Sequence, residues 1–514
     1  GRGTTFSPRR VRINTYDSDG NETANWPDSA LNIGTNCLNA DKECVTDGML
    51  QVDYHTGNIE AARMTILSNG DTVVVWTRLD PTNTYELMGR VLGANGSYKT
   101  PSIALINDNV PEDIKLVNVA SFQDDHVLIV YEQGSAVKYR ILDPNNVTAG
   151  GADGTVHVKM VADNSKPDVA VFPGPSGTGV DDEWVVTFIQ DGEVFTRRMN
   201  RDGSPVLGVP EQRANMVYEG EQLQAVAASA RPATGQPQNV MTVYRSKGSE
   251  TIKERVWSRL FSHTGEQVLP ERPLSNAVFH AEGFDVAGGG THFVVAYGRS
   301  FNTGDEQDIK ARFYNGLGVE VSNPDKAVSV STATKGDQSH PTVAVRPEHA
   351  LIAWQGNEEA ANYTLYGRLF SVDGTAMGAS FQVNEKDSGK QWEPSLVAHP
   401  TLERYAMVWT SNHTGSKDVR MRLMEVNNNS VSFLTDEQAV HQGVGQQQRP
   451  SVAIAPNNQV VVCYEWSGLG TPDVDRVACK LYDWAEGMLF VANNDEPYYP
   501  YGASIQNYAP DVVW

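Results

Sequence analysis

Apolar residues in this chain gather into short runs that end on an aromatic side chain. The runs are TVVVW ending at Trp76, VLIVY at Tyr131, WVVTF at Phe188, VMTVY at Tyr244, FVVAY at Tyr297, ALIAW at Trp354, YAMVW at Trp409 and VVVCY at Tyr464. Successive aromatics lie 53 to 57 residues apart. A run that is apolar at nearly every position, without the alternation of a half-solvated sheet, predicts a strand buried on both faces. Almost no stretch shows helical periodicity.

Polar and turn residues around each run complete a unit. A short strand precedes the aromatic, clearest in PTVAV from Pro341, PSLVA from Pro394 and PSVAI from Pro450, with a turn such as SNGD or APNNQ between. After the aromatic comes a strand centred on Arg or Lys. Five copies place a glycine six positions beyond that arginine: Arg90/Gly96, Arg197/Gly203, Arg259/Gly265, Arg312/Gly318 and Arg368/Gly374. A fourth strand follows, as in SIALIND (102–108), SFQVNE (380–385) and MLFVANND (488–495). Four short strands per roughly 55 residues describe a blade. The expected fold is therefore all-β, a β-propeller of four-stranded antiparallel blades, with eight second strands implying eight blades.

The ends keep seven blades or a split extra blade open. RRVRINTYDSDG (9–20) reads as a third strand with its turn, SALNI (29–33) as a fourth strand, and YAPDVVW (508–514) as a first strand. The expected division is residues 1–58 as N-terminal strands and a disulfide loop, 59–495 as eight repeats, and 496–514 as a connector with a closing or donated strand. A terminal strand supplements a neighbouring blade, the chain is a fragment, or the ends pair with another molecule. An unpaired strand edge is a template for such pairing.

The unit resembles a β-propeller repeat of large secreted adhesin-like and surface proteins, of the form P-x-V-A, then G-x-x-V-V-x-W, then G-x-x-R-x-Y-x-x-x-G. Its best copy spans 341–385, and RPEHA within it lacks the usual turn glycine. The resemblance covers roughly residues 59–495 and implies fold and secretion. It carries no catalytic motif.

A net charge of −22 argues against nucleic acid or an anionic membrane surface as partner. No apolar stretch approaches the roughly 18–20 residues of a membrane helix. The four cysteines form local pairs, Cys37 with Cys44 and Cys463 with Cys479, which suit two disulfides although three connectivities exist. Sequons stand at Asn21, Asn95, Asn146, Asn362, Asn412 and Asn428. Disulfides with sequons favour an extracellular or cell-surface setting.

Candidate chemistry is sparse. No H-E-x-x-H, G-x-S-x-G or P-loop occurs, and no catalytic, cofactor-binding or metal-ligating residue is assigned; no cofactor is expected. Asp17, Asp19 and Asn21 alternate as in calcium loops, but the glycine is misplaced and no closing Glu follows, so a polar turn is favoured. The carboxylate pairs Asp124–Asp125, Asp181–Asp182 and Glu358–Glu359 read as solvated connectors rather than an acid and base. The repeated arginine reads as structural, its stem between blades and its head on a carboxylate or carbonyl. Trp26, Trp392 and Trp466 lie near strand ends or in loops, where an aromatic face can stack on sugars or pack beneath a loop. These residues imply a non-catalytic secreted glycoprotein acting as a structural or adhesive module, assembling with other subunits, binding surface glycans or self-assembling through its terminal strands. The alternatives are a carbohydrate-binding lectin and a polysaccharide-acting hydrolase or lyase.

Overall fold

The computed structural model describes residues 15–16, 22–24, 50–51 and 511–512 and, between 59 and 491, the strands with most of their turns. Among the described residues there is no α-helix. Blade I consists of Ile59–Ile66, Thr72–Leu79, Tyr85–Leu92 and Ile103–Ala104. Blades II to IV start on the inner strands Ile114–Ser121, Asp168–Phe172 and Gln222–Ala230. Blades V to VIII start on Phe284–Gly289, Gln338–Val345, Gln391–Ala398 and Gln446–Ile454. Consecutive strands pair antiparallel within each sheet, and each inner strand packs against the inner strand of the next blade, the last against the first. The fold is an eight-bladed β-propeller.

The second strands hold the blades together because they are buried on both faces. Val127–Gln133 and His349–Gly356 are buried at every position. All eight aromatics are 0–2% exposed. Each lies between two sheets, as in the cluster of Val74, Trp76, Val461 and Leu481 between blades I and VIII. Burying such a side chain contributes roughly 1.5–3 kcal/mol. The strands run two or three residues past the aromatic, to Gln133, Gly356 or Ser411 for example, where the sequence had suggested an end. Backbone pairing continues there although the side chains become polar.

The third-strand basic residue repeats in all eight blades, including the three whose copies lack the glycine six positions on. Arg90, Arg140, Arg197, Arg259, Arg312, Arg368, Arg422 and Lys480 each stand across from the residue two before the aromatic. In blades V to VIII the head group reaches the carbonyl of the residue that follows the outer strand of the preceding blade. Arg312 Nε donates to Leu274 O at 2.9 Å, Arg368 Nη1 to Val330 O at 3.1 Å, Arg422 Nη1 to Val383 O at 2.7 Å and Lys480 Nζ to Val440 O at 2.8 Å. In blade IV, Arg259 Nη1 donates to Ala214 O at 3.0 Å. In blades IV to VIII the repeated cation is a staple between blades, while Arg90 Nε donates to Thr100 O of its own blade at 3.1 Å.

The ring closes at blades VIII and I. Leu50–Gln51 pairs with Cys479 and Ala478 on the outer side of the third strand of blade VIII, which also carries the short strand Met488–Val491. Asp511–Val512 pairs in parallel with Arg63 and Met64 on the inner strand of blade I and lies against the inner strand of blade VIII. Thr15–Tyr16 pairs with Glu22–Ala24 as a separate two-stranded sheet. The rest of the expected strands 9–20 and 29–33 lies outside the described residues.

Candidate functional site

Inner strands begin at one rim of the ring, where in blades V to VIII the connections between second and third strands are longer than the turns between first and second; in blades II and III the order is reversed, 134–135 and 191–192 against 122–126 and 173–182. In blades V to VIII the second and third strands are joined by 300–307, 357–363, 412–417 and 468–475, while the opposite rim has turns 290–291, 346–348, 399–403 and 455–458. Variable loops on a rigid scaffold are where binding surfaces concentrate.

A bulge shapes this rim. Opposite the buried aromatic, two residues of the inner strand face one, between the pairs Ser339↔Gln355 and Thr342↔Ala353, Trp392↔Thr410 and Ser395↔Val408, and Gln448↔Glu465 and Ser451↔Cys463. The second bulge residue is the proline of each P-x-V-A phrase, which has no N–H to lose from the ladder. The first is left-handed: His340 at φ 51°, Glu393 at 55° and Arg449 at 51°. A following proline disfavours the right-handed helical region for the residue before it. Blade V pairs Phe284 with its aromatic Tyr297 without a bulge, and the place corresponding to His340 is taken by Gly283 at φ 76°.

These residues form a continuous arc. A Cβ on Gly283 would stand 3.1 Å from His340 Cα. Glu393 N donates to Gln355 Oε1 of blade VI at 3.0 Å, and Arg449 N donates to Glu393 Oε2 at 3.1 Å. Thr410 Oγ1 donates to the same Glu393 oxygen at 2.9 Å. The Arg449 guanidinium stands between Glu393 at 3.8 Å and Glu465 at 3.2 Å. His340 is exposed, and Trp392, Glu393 and Arg449 are half-buried. Among the described residues no group of His, Cys, Asp and Glu is placed to hold a metal.

The predicted site residues divide sharply. Cys463 and Cys479 form a disulfide across the second and third strands of blade VIII. Cys37, Cys44, Trp26, Asn21, Asn95 and Asn362 lie outside the described residues. Asn146 and Asn428 are exposed, Asn428 in a two-residue hairpin turn with Asn429. Asn412 is half-buried, and its side-chain oxygen accepts Lys390 N at 2.5 Å. Trp392 sits on the rim, but Trp466 is 2% exposed in the core between blades VII and VIII, which removes it as a stacking surface.

The solvated reading fits Asp181, which is exposed, but needs correction for Asp124, Asp125 and Asp182. Asp125 accepts Ser68 N at 2.7 Å and Ser68 Oγ at 2.6 Å from the preceding blade. Asp182 is buried and accepts Gln123 N at 2.8 Å and Gly174 N at 2.7 Å. Asp124 binds Arg201 at 2.9 Å; burial alone would raise its carboxyl pKa, but the bond from Arg201 and the His126 amide outweigh it and hold the group below its ordinary value. These carboxylates tie turn to turn on the rim away from the bulges. Glu358 and Glu359 lie outside the described residues.

No family model matches the chain, and no curated protein matches it. Solved structures with a similar path include a protein of unknown function from Dyadobacter fermentans, at 9% identity and TM-score 0.39, covering 85% of this chain and 98% of that one. Another is an α-L-arabinofuranosidase from Fusarium graminearum with an iminosugar inhibitor, at 12% identity and TM-score 0.39, covering 63% and 95%. A third is the Aleuria aurantia lectin with α-methyl-L-fucoside, at 10% identity and TM-score 0.34, covering 77% and 99%. Likeness at this level says nothing of what this chain binds.

Proposed function

We propose that this chain is a non-catalytic, secreted binding propeller, an adhesive module of an extracellular or cell-surface assembly that meets its partner at the bulge rim. The observation that carries this reading is the fate of the repeated cation. In blades IV to VIII the repeated cation is used to join blades, while the polar bulge residues of blades VI to VIII and the longer loops of blades V to VIII collect on one rim. The pairing of Leu50–Gln51 and Asp511–Val512 inside their own ring favours adhesion through that rim over donation of these two strands. The Cys463–Cys479 disulfide fits an oxidising compartment.

A glycan is the favoured partner, because the half-buried Trp392 lies beside Glu393, with Arg449 in reach of that carboxylate. Printed glycan arrays probed with the purified chain test this. Saturable binding that free glycan competes away, with no new reducing ends appearing, is the expected result. Release of reducing ends would instead make the chain a hydrolase, and a silent array would remove the glycan.

A further inference from the structure

We infer that the arc of bulge residues across blades VI to VIII is the contact surface for an uncharged glycan, a reading that rests on the glycan partner proposed above. The bulge itself needs only a backbone that turns left-handed. Blade V, whose inner strand pairs Phe284 with Tyr297 without a bulge, carries at the corresponding place Gly283, whose missing Cβ leaves the left-handed region open. The next three blades carry His340, Glu393 and Arg449 at the same place, where an L side chain is disfavoured. Folding alone would be served by glycine at each. The fold therefore keeps three polar side chains on adjacent blades at positions where they oppose the backbone.

The groups presented match sugar hydroxyls. A hydroxyl both donates and accepts, and neighbouring hydroxyls on a ring are met well by a carboxylate beside a guanidinium, which between them offer acceptors and a donor fork. Glu393 and Arg449 form such a pair at 3.8 Å, and Thr410 fixes the carboxylate from below. Trp392, next in sequence and half-buried, supplies an aromatic face. Exposed His340 adds a further ring that donates and accepts.

Charge selects the class. Arg449 is already flanked by Glu393 and by Glu465, whose carboxylate is 3.2 Å away. An acidic sugar or a phosphate would bring its anion to a cation that two carboxylates already neutralise. A neutral chain adds no unmatched charge.

Titration calorimetry with cellohexaose, xylohexaose and mannohexaose as neutral probes, and polygalacturonate as the acidic one, tests the assignment. At least one neutral probe should bind and polygalacturonate should not. Trp392→Ala and Arg449→Ala should weaken binding tenfold or more. His340→Gly should weaken it several-fold while leaving the melting temperature equal or higher, an outcome that a purely structural histidine would not give. If a neutral probe binds and all three variants bind like the parent, the site is elsewhere and only the glycan reading survives. If polygalacturonate alone binds, the assigned class is wrong. If no probe binds, site and glycan reading fall together.

Discussion

Arg422 shows how much one repeated side chain carries. Its Nε donates to Thr435 O at 3.1 Å, Nη1 to Val383 O at 2.7 Å and Nη2 to Glu385 at 2.6 Å, and the guanidinium lies 3.5 Å over the Phe433 ring. It is 8% exposed, so the carbonyls it serves have little water to replace it. Arg422→Ala should lower unfolding free energy by about 2–4 kcal/mol in urea titration, since a buried charged hydrogen bond is lost and its acceptors are stranded. Arg422→Lys should cost clearly less, because Lys480 already makes the corresponding bond in blade VIII. A second residue sets acid sensitivity. His399 is buried in the turn 399–403, and its Nδ1 accepts Thr401 N at 3.1 Å and Leu402 N at 3.0 Å. Burial, then the positive charges of Arg346 and Arg404, push its pKa down to about 4. In the unfolded chain a histidine titrates near 6.5, so the unfolded state binds a proton that the folded state refuses. The stabilisation is complete above pH ~6.5 and is lost as pH falls through about 4. His399→Asn keeps an acceptor for the turn and cannot protonate. Denaturation at pH 7, 5.5 and 4 should show a shallower acid loss in that variant than in the parent; identical slopes would exclude His399 as the source.

At the scale of strands, the sequence carried the parts that depend on burial and little of those that depend on register. Eight apolar runs, the prolines of P-x-V-A and the basic third strand were all legible, because burial on both faces excludes polar residues over a whole strand. Arg140, Arg422 and Lys480 lack the glycine six residues on that marks the other copies; their place across from the residue two before the aromatic identifies them. The left-handed bulge was not legible, since a His, Glu or Arg before proline gives no hint of positive φ. Trp466 misled because its phrase resembles a strand end, whereas the ladder continues to Ser467 and buries it. Ties such as Ser68 to Asp125 cross between blades and have no local pattern. The disulfide was legible from spacing, and its effect can be measured. Cys463 and Cys479 face each other across adjacent strands, 16 positions apart in sequence. Closing a loop of that size stabilises by about 3 kcal/mol. Replacing both with alanine should cost about 2–4 kcal/mol in guanidinium titration. Reductant should bring the parent toward the variant and leave the variant unchanged; equal sensitivity in both would show that the bond contributes nothing.

Across the whole ring, closure is uneven. At the junctions of blades III with IV and V with VI, a carboxylate on one inner strand takes an amide of the next, Asp168 from Ala227 N at 2.9 Å and Asp285 from Val343 N at 2.8 Å. Between blades VIII and I the strand Asp511–Val512 lies against both inner strands instead, paired in parallel with Arg63 and Met64. On the outer side of blade VIII, Leu50–Gln51 completes the sheet. Besides its apolar cluster, this junction therefore relies on two short strands far apart in sequence, and loop closure over such distances is entropically expensive. It should be the place where the ring opens first. Deleting residues 508–514 removes about two backbone hydrogen bonds, roughly 2 kcal/mol at about 1 kcal/mol each. Amide exchange should then quicken on the inner strand of blade I and leave Gln338–Val345 in blade VI unchanged. Uniform acceleration in every blade would mean that the ring opens as one unit, with no weak junction. No acceleration at all would mean that Asp511–Val512 does not hold blade I to blade VIII.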